Sequence, residues 1–233
     1  MLLLYIIIVS TISNIFCCYV IQLKNNDSSV ELAVEILRRG GLISLPTDTV
    51  YGLAVDVMNS TAIDNIYNVK RRDLNKPLAI CVNGVNDVSR WGDTDELPED
   101  LLDQLLPGPV TLVLNRRETL NTDLNPGVRK IGIRVPGPNK SAFVRRVVAT
   151  LGRPIALTSA NPSHEPNCVT AQEFSELWPF LDVVFDGGLI GYGTRDGSTI
   201  VDLSAKGEYK IIRPGTGLET MRNLLSHFGL TES

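Results

Sequence analysis

Polar side chains gather in this chain at the points where apolar runs stop. The run Leu42–Leu45 breaks at Pro46 into Thr47, Asp48 and Thr49. "PIAL" (154–157) gives way to Thr158, Ser159 and Asn161, and a late strand-like run opens with Ser198 and Thr199. Hydroxyls and amides so placed orient a small polar ligand, or serve as ordinary turn and cap residues. Cations supply a second kind of chemistry. Lys70, Arg71, Arg72 and Lys76 fall within seven positions at the end of a helix-like segment. Cations there complement the helix dipole by about 0.3–1 kcal/mol each. Four of them also suit an anion site, phosphate or RNA, with Arg as a bidentate fork and Lys as a point charge. Arg134 stands in "KIGIRVP" on the parity opposite Ile131, Ile133 and Val135, which fits either solvent or a cleft.

Other chemistries are poorly provided for. The histidines are His164 and His227 alone, which leaves little room for imidazole acid–base work. The cysteines Cys17, Cys18, Cys81 and Cys168 form no C-x-x-C pair and sit near no histidine, against both zinc and a disulfide framework. "GLIGYG" (188–193) has its glycines in the wrong order for a dinucleotide loop, and no P-loop Lys-Ser/Thr follows it. Alone it reads as a surface loop. A net charge of −4 gives no global attraction to nucleic acid or to an acidic membrane.

The elements that must position these residues alternate along 233 residues. Helical spacing marks 28–41, 61–72, 98–108, 140–152, 171–178 and 218–229. Apolar or alternating runs mark strands at 42–45, 77–82, 110–116, 130–136 and 154–161, with more in "LDVVFDGG", "STIVDLS" and "YKIIRPG". This order predicts a single α/β domain over 25–233, a twisted mixed sheet flanked by helices with a concave substrate cleft. Ligands of open α/β sheets gather at strand ends, which is where the polar clusters lie. Residues 1–24 carry no charge before Lys24 and are long enough to span a bilayer, yet lack the basic residues of a signal peptide or mitochondrial presequence. They are set aside as a targeting segment, an anchor or an upstream start.

The blocks "PTDTVYGL", "KRR", "KPLAI", "LLPGPVTLVL", "IGIRVP", "ALTSAN", "DGG", "GSTIVDLS" and "IIRPG" occur in the order found in one family. Over about Ser28 to Gly229 the chain resembles the YrdC/Sua5 family of L-threonylcarbamoyladenylate synthases, in its single-domain animal form. The resemblance implies a nucleotidyltransferase that joins ATP, L-threonine and bicarbonate into threonylcarbamoyl-AMP and pyrophosphate, with Mg2+ accompanying the ATP. A separate transferase complex then passes the threonylcarbamoyl group to tRNA, and direct tRNA binding is left open. The resemblance places Lys70 and Arg72 in the catalytic step, with Lys70 at the phosphates. It places Thr49, Cys81, Arg134, Ser159 and Ser198 at threonine, with Arg134 clamping the carboxylate. Arg72, Lys76, Lys130, Asn161, Thr170 and Arg213 fall around the nucleotide. Two positions depart from many bacterial and archaeal members, which have Asn where this chain has Lys76 and His where it has Cys81. A cytoplasmic location is expected, with mitochondria as a second site and membrane contact through residues 1–24 as a further option. Two other readings compete: an RNA-binding module without catalysis, built on "KRRDLNK", and a membrane-tethered interaction protein.

Overall fold

The structure is a computed structural model and describes residues 5–11, 14–23, 27–70, 76–137, 141–162, 165–191 and 193–233, with side chains from Tyr19 onward. The chain opens with β1 (Tyr5–Thr11), β2 (Asn14–Gln22), α1 (Ser28–Arg38), β3 (Ile43–Leu45), β4 (Gly52–Asp56) and α2 (Ser60–Lys70). It continues through β5 (Ala79–Cys81), α3 (Val88–Trp91), α4 (Leu101–Leu105), β6 (Val110–Asn115), β7 (Lys130–Arg134), α5 (Ala142–Leu151) and β8 (Ile155–Ser159). A 3₁₀ segment (Ala171–Phe180), β9 (Val183–Asp186), β10 (Thr199–Asp202), β11 (Glu208–Arg213), α6 (Leu218–His227) and β12 (Thr231–Glu232) follow.

The strands form one mixed sheet in the order β1-β2-β9-β3-β4-β8-β5-β7-β6-β10-β11-β12. Side-chain alternation divides its residues between two apolar layers. Leu53, Val55, Ile80, Ile131 and Ile133 face α2 and the 3₁₀ segment, through Ile63, Ile66 and Phe174. Ala54, Cys81, Ile155 and Leu157 face α1 and α5, through Val34, Leu37, Val144 and Val147. The α1 periodicity therefore has a physical target: Val30, Ala33, Val34 and Leu37 are all buried. α5 stops at Gly152, whose φ of 75° suits a residue without a Cβ.

Two features differ from the sequence reading. Residues set aside at the N-terminus belong to the sheet: β2 pairs in parallel with β9 from Tyr19↔Val183 to Gln22↔Asp186, and Val20 and Ile21 are buried. Among the described residues no helix is long and apolar enough to cross a membrane. The cleft also lies across the face of the sheet rather than along one row of strand ends. β5 is parallel to β7 but antiparallel to β8. Arg134 and Ser159, the last residues of β7 and β8, therefore end on opposite edges, yet both line one cleft. Small residues make this possible. Gly52 and Ala79 lie in its floor, and a Cβ on Gly52 would come within 2.6 Å of Leu157 Cδ1.

Candidate active site

The turn after β3 shows what its hydroxyls are for. Thr47, Asp48 and Thr49 are each only 1% exposed. Thr47 Oγ1 donates to the Val50 carbonyl at 2.7 Å and accepts from the Thr49 and Val50 amides at 3.2 and 3.3 Å. That hydroxyl builds the turn, as Ser and Thr commonly do. It frees the next two side chains to meet Arg134. Arg134 Nη2 donates to Asp48 Oδ1 at 2.7 Å and to Thr49 Oγ1 at 3.3 Å. The other Asp48 oxygen accepts from the Gly137 amide at 3.1 Å. Arg134 is 7% exposed, so the choice between solvent and cleft falls to the cleft. Among the described residues its buried Nε has no hydrogen-bond partner. A buried N–H without an acceptor costs about 1–3 kcal/mol, unless a ligand oxygen supplies one.

The facing wall comes from β6, β10 and β11. Ser198 Oγ and Thr111 Oγ1 are 2.7 Å apart, and Arg213 Nη2 donates to the Ser198 carbonyl at 2.8 Å. Ser159, Asn167, Gly197, Ser198 and Arg213 line the cleft beside Thr47 and Arg134. Thr111 and Asn167 also line it, and sequence reading missed both. Thr111 left a signal: it breaks the apolar parity of "VTLVL" opposite Leu112 and Leu114.

The remaining expected residues are more scattered. Cys81 pairs in register with Arg134 on the same face but is fully buried beneath the α1–α5 layer. Burial pushes its thiol up to about 12. Lys130 sits four residues before Arg134, about 13 Å along the strand, with its ammonium 2.7 Å from Asp202 Oδ2. Lys76 is exposed at the entry to β5. Lys70 is 4% exposed and turns toward the backbone of Ser159 and Asn161. Arg71 and Arg72, within 71–75, and His164 lie outside the described residues.

Thr170 precedes the 3₁₀ segment. Three residues on, Glu173 Oε2 accepts from the Val169 and Thr170 amides at 2.8 and 3.4 Å. Arg195 donates to both Glu173 oxygens at 2.9 and 2.8 Å. Hydrogen bonding from Arg195, then from the two amides, holds the carboxyl down from 4.5 to about 2. A depressed carboxyl stabilises the fold fully above its unfolded value and loses that contribution as pH falls. The melting temperature of Glu173→Gln should therefore sit below that of the parent above pH 4.5, and the gap should close as pH falls toward about 2. A pH series of thermal melts reads this directly.

"GLIGYG" proves to be tied to the site. The single proton of Tyr51 OH is shared between the Gly188 carbonyl at 2.8 Å and Asp186 Oδ1 at 3.1 Å, and its oxygen accepts from the Gly187 amide at 2.9 Å. Burial and the Asp186 carboxylate hold this phenol above its usual range. Further along, Gly191 has φ 92° and packs so closely on the turn that a Cβ would lie 2.8 Å from the Thr49 carbonyl oxygen.

A mixed α/β sheet carrying a buried guanidinium, its partner carboxylate and a ring of hydroxyls across one face defines a binder of small polar or anionic molecules. The comparisons give that class a family. A model for Sua5, YciO and YrdC proteins, described as "Telomere recombination", matches residues 35–215, and the chain belongs to this family. It is 46% identical over 209 residues to a Bos taurus protein named threonylcarbamoyl-AMP synthase, covering 88% of this chain and 74% of that one. The Homo sapiens protein of the same name is 45% identical over 210 residues, with the same coverage. Among solved structures, P. abyssi Sua5 complexed with L-threonine superposes with a TM-score of 0.80 at 26% identity. That match covers 92% of this chain and 62% of the archaeal one. E. coli YciO, at 23% identity and a TM-score of 0.74 over 84% of this chain and 94% of that one, shares the fold.

Proposed function

We infer that this chain is an enzyme that makes threonylcarbamoyl-AMP and pyrophosphate from ATP, L-threonine and bicarbonate, for the threonylcarbamoyladenosine modification of tRNA. The observation that carries the reading is the buried Nε of Arg134, which has no partner among the described residues, beside Thr49 in a chain that is 46% identical to the Bos taurus synthase. A carboxylate oxygen of threonine satisfies that donor. Thr49 Oγ1, with Ser159 at the end of β8 and Ser198 on the facing wall, supplies hydroxyls to the rest of the amino acid. The relatives support catalysis over RNA binding alone.

The chemistry asks for positioning. The threonine amine adds to CO2 derived from bicarbonate and loses a proton, giving a carbamate. A carbamate oxygen then attacks the α-phosphorus of ATP, and the bond to the β-phosphate bridging oxygen breaks to release pyrophosphate. This makes the enzyme a nucleotidyltransferase. No protein nucleophile is required, because holding the reactants in line and offsetting charge supply most of the acceleration. Arg213, Arg72 and Lys76 are assigned to the nucleotide side. Mg2+ enters with the ATP. Among the described residues no group of three or more His, Cys, Asp or Glu is placed to hold a metal ion, so phosphate oxygens and water are assigned as its ligands. The product passes to a tRNA-modifying transferase. The proposed location is the cytoplasm, with a mitochondrial pool if residues 1–24 act in targeting. N-terminal sequencing of the mature protein tests the latter.

Pyrophosphate release should require ATP, L-threonine and bicarbonate together. Release that ignores threonine and bicarbonate would overturn the reading. Thr49→Ala should raise the KM for threonine about 10-fold or more, as loss of one hydrogen bond to a charged group does. The KM for ATP should stay within about 3-fold by the same scale of a single contact.

A further inference from the structure

We propose that Lys70 is a positioning residue that shapes the Ser159–Asn161 wall from behind, and not a ligand of the ATP phosphates; this rests on the enzymatic reading above. The ammonium carries three N–H donors. Among the described residues it meets the Ser159 carbonyl at 2.8 Å, the Asn161 carbonyl, and Asn161 Oδ1 at 3.3 Å. Lys70 is 4% exposed, and burial of an ammonium is tolerated only when its donors are satisfied. It lines a neighbouring groove with Asn65, Val69, Pro162 and Glu165.

The acceptors explain the need for a cation. Carbonyls two residues apart, with a side-chain oxygen from one of them, converge on a single point. Their dipoles repel unless positive charge sits between them. The amide side of Asn161 is also engaged, donating to the carbonyls of Pro162 at 3.1 Å and Glu165 at 2.6 Å. Between the two latched carbonyls, the Ala160 amide donates to the Tyr51 carbonyl at 2.7 Å. Lys70 and Asn161 thus lock the end of β8 against the turn that carries Thr49, and the Ser159 hydroxyl depends on that lock for its place in the cleft.

The test uses the full chain and the variants Lys70→Met and Lys70→Arg. Amide hydrogen exchange at Ala160 in the ligand-free protein reads the latch directly. Inorganic tripolyphosphate and L-threonine, titrated separately, read the two kinds of site. A latch predicts exchange at Ala160 at least about 10-fold faster in both variants, because a guanidinium fork cannot meet three converging oxygens as an ammonium does. It also predicts a comparable loss of threonine affinity, with tripolyphosphate affinity kept within about 3-fold. Unchanged exchange at Ala160 with a 10-fold or greater loss of tripolyphosphate affinity in Lys70→Met would overturn the proposal. If Lys70→Met does not fold, Lys70→Arg decides, since a phosphate ligand tolerates that change and a latch does not. A parent protein that binds no threonine and releases no pyrophosphate would remove the enzymatic reading, while exchange at Ala160 would still judge the latch.

Discussion

Replacing Arg134 with methionine should cut threonine-dependent pyrophosphate release by about 100- to 1000-fold and also destabilise the fold. The two losses have different origins. Release falls because a charge-assisted clamp on a carboxylate is lost, worth about 3–4 kcal/mol at a desolvated site, with each 1.4 kcal/mol a factor of ten. Stability falls because Asp48, 1% exposed, loses its 2.7 Å partner and is left buried without a counter-ion. Breaking a buried pair from one side costs about 3–5 kcal/mol. Asp48→Asn should damage stability in the same way and leave Arg134 without the anchor that aims its Nε. The double variant Asp48→Asn/Arg134→Met removes both charges, so denaturant melts should recover much of the lost stability while pyrophosphate release stays low. A single Arg134→Met protein with the parent's KM for threonine would show that the pair is structural only.

Gly191→Ala should raise the KM for threonine about 10-fold while leaving most of the fold intact. Two costs combine. The φ of 92° is disfavoured for a residue with a Cβ, at about 1–3 kcal/mol. The new Cβ would also meet the Thr49 carbonyl oxygen at 2.8 Å, so the turn must retreat. A retreat of a few tenths of an ångström weakens the 3.3 Å contact between Arg134 and Thr49 Oγ1. Gly193→Ala is the matched control. Its φ of 82° carries the same backbone cost, but nothing lies within 4 Å of the added Cβ. Equal kinetics in the two variants would sink the argument, because the Thr49 carbonyl is the one atom the Gly191 Cβ would meet below 3.0 Å, the Thr194 carbonyl and Val169 Cγ1 lying at 3.4 and 3.7 Å.

Most helices and the alternating strands could be read from residue spacing. Ile131 and Ile133 alternate because β7 has one apolar face and one face toward the cleft. β4 was harder: all five residues from Gly52 to Asp56 are buried, so no alternation marks them. The uncharged N-terminal run shows the same ambiguity, since membrane span and buried strand share a composition. At the site, Arg134, Ser159, Ser198 and Arg213, which only the family resemblance grouped, line one cleft. Spacing alone left Arg134 undecided, because parity gives a face and not what covers it. The family resemblance implies Lys70 at the phosphates. Its engagement by backbone carbonyls depends on how β8 ends beside α2, a long-range meeting that local sequence does not encode. The expectation of polar residues at strand ends holds for each of them, but antiparallel neighbours place Arg134 and Ser159 at opposite ends of the sheet.

The Asp48–Arg134 pair has a consequence for what the cleft admits. Arg134 arrives with its own counter-anion, so together the two contribute no net charge. Under the proposed reading, a free α-amino acid enters as a zwitterion, also neutral overall, and meets a surface with directed donors but little net field. Such an encounter is nearly indifferent to ionic strength, whereas the approach of ATP to Arg213, Arg72 and Lys76 is screened by salt. The balance shifts only once the amine becomes a carbamate. The bound molecule then gains negative charge that the pair cannot offset, and Arg213, which lines the same cleft, is a cation available to compensate it. The order of charges in the cleft thus ties the first half of the reaction to the arrival of the second substrate.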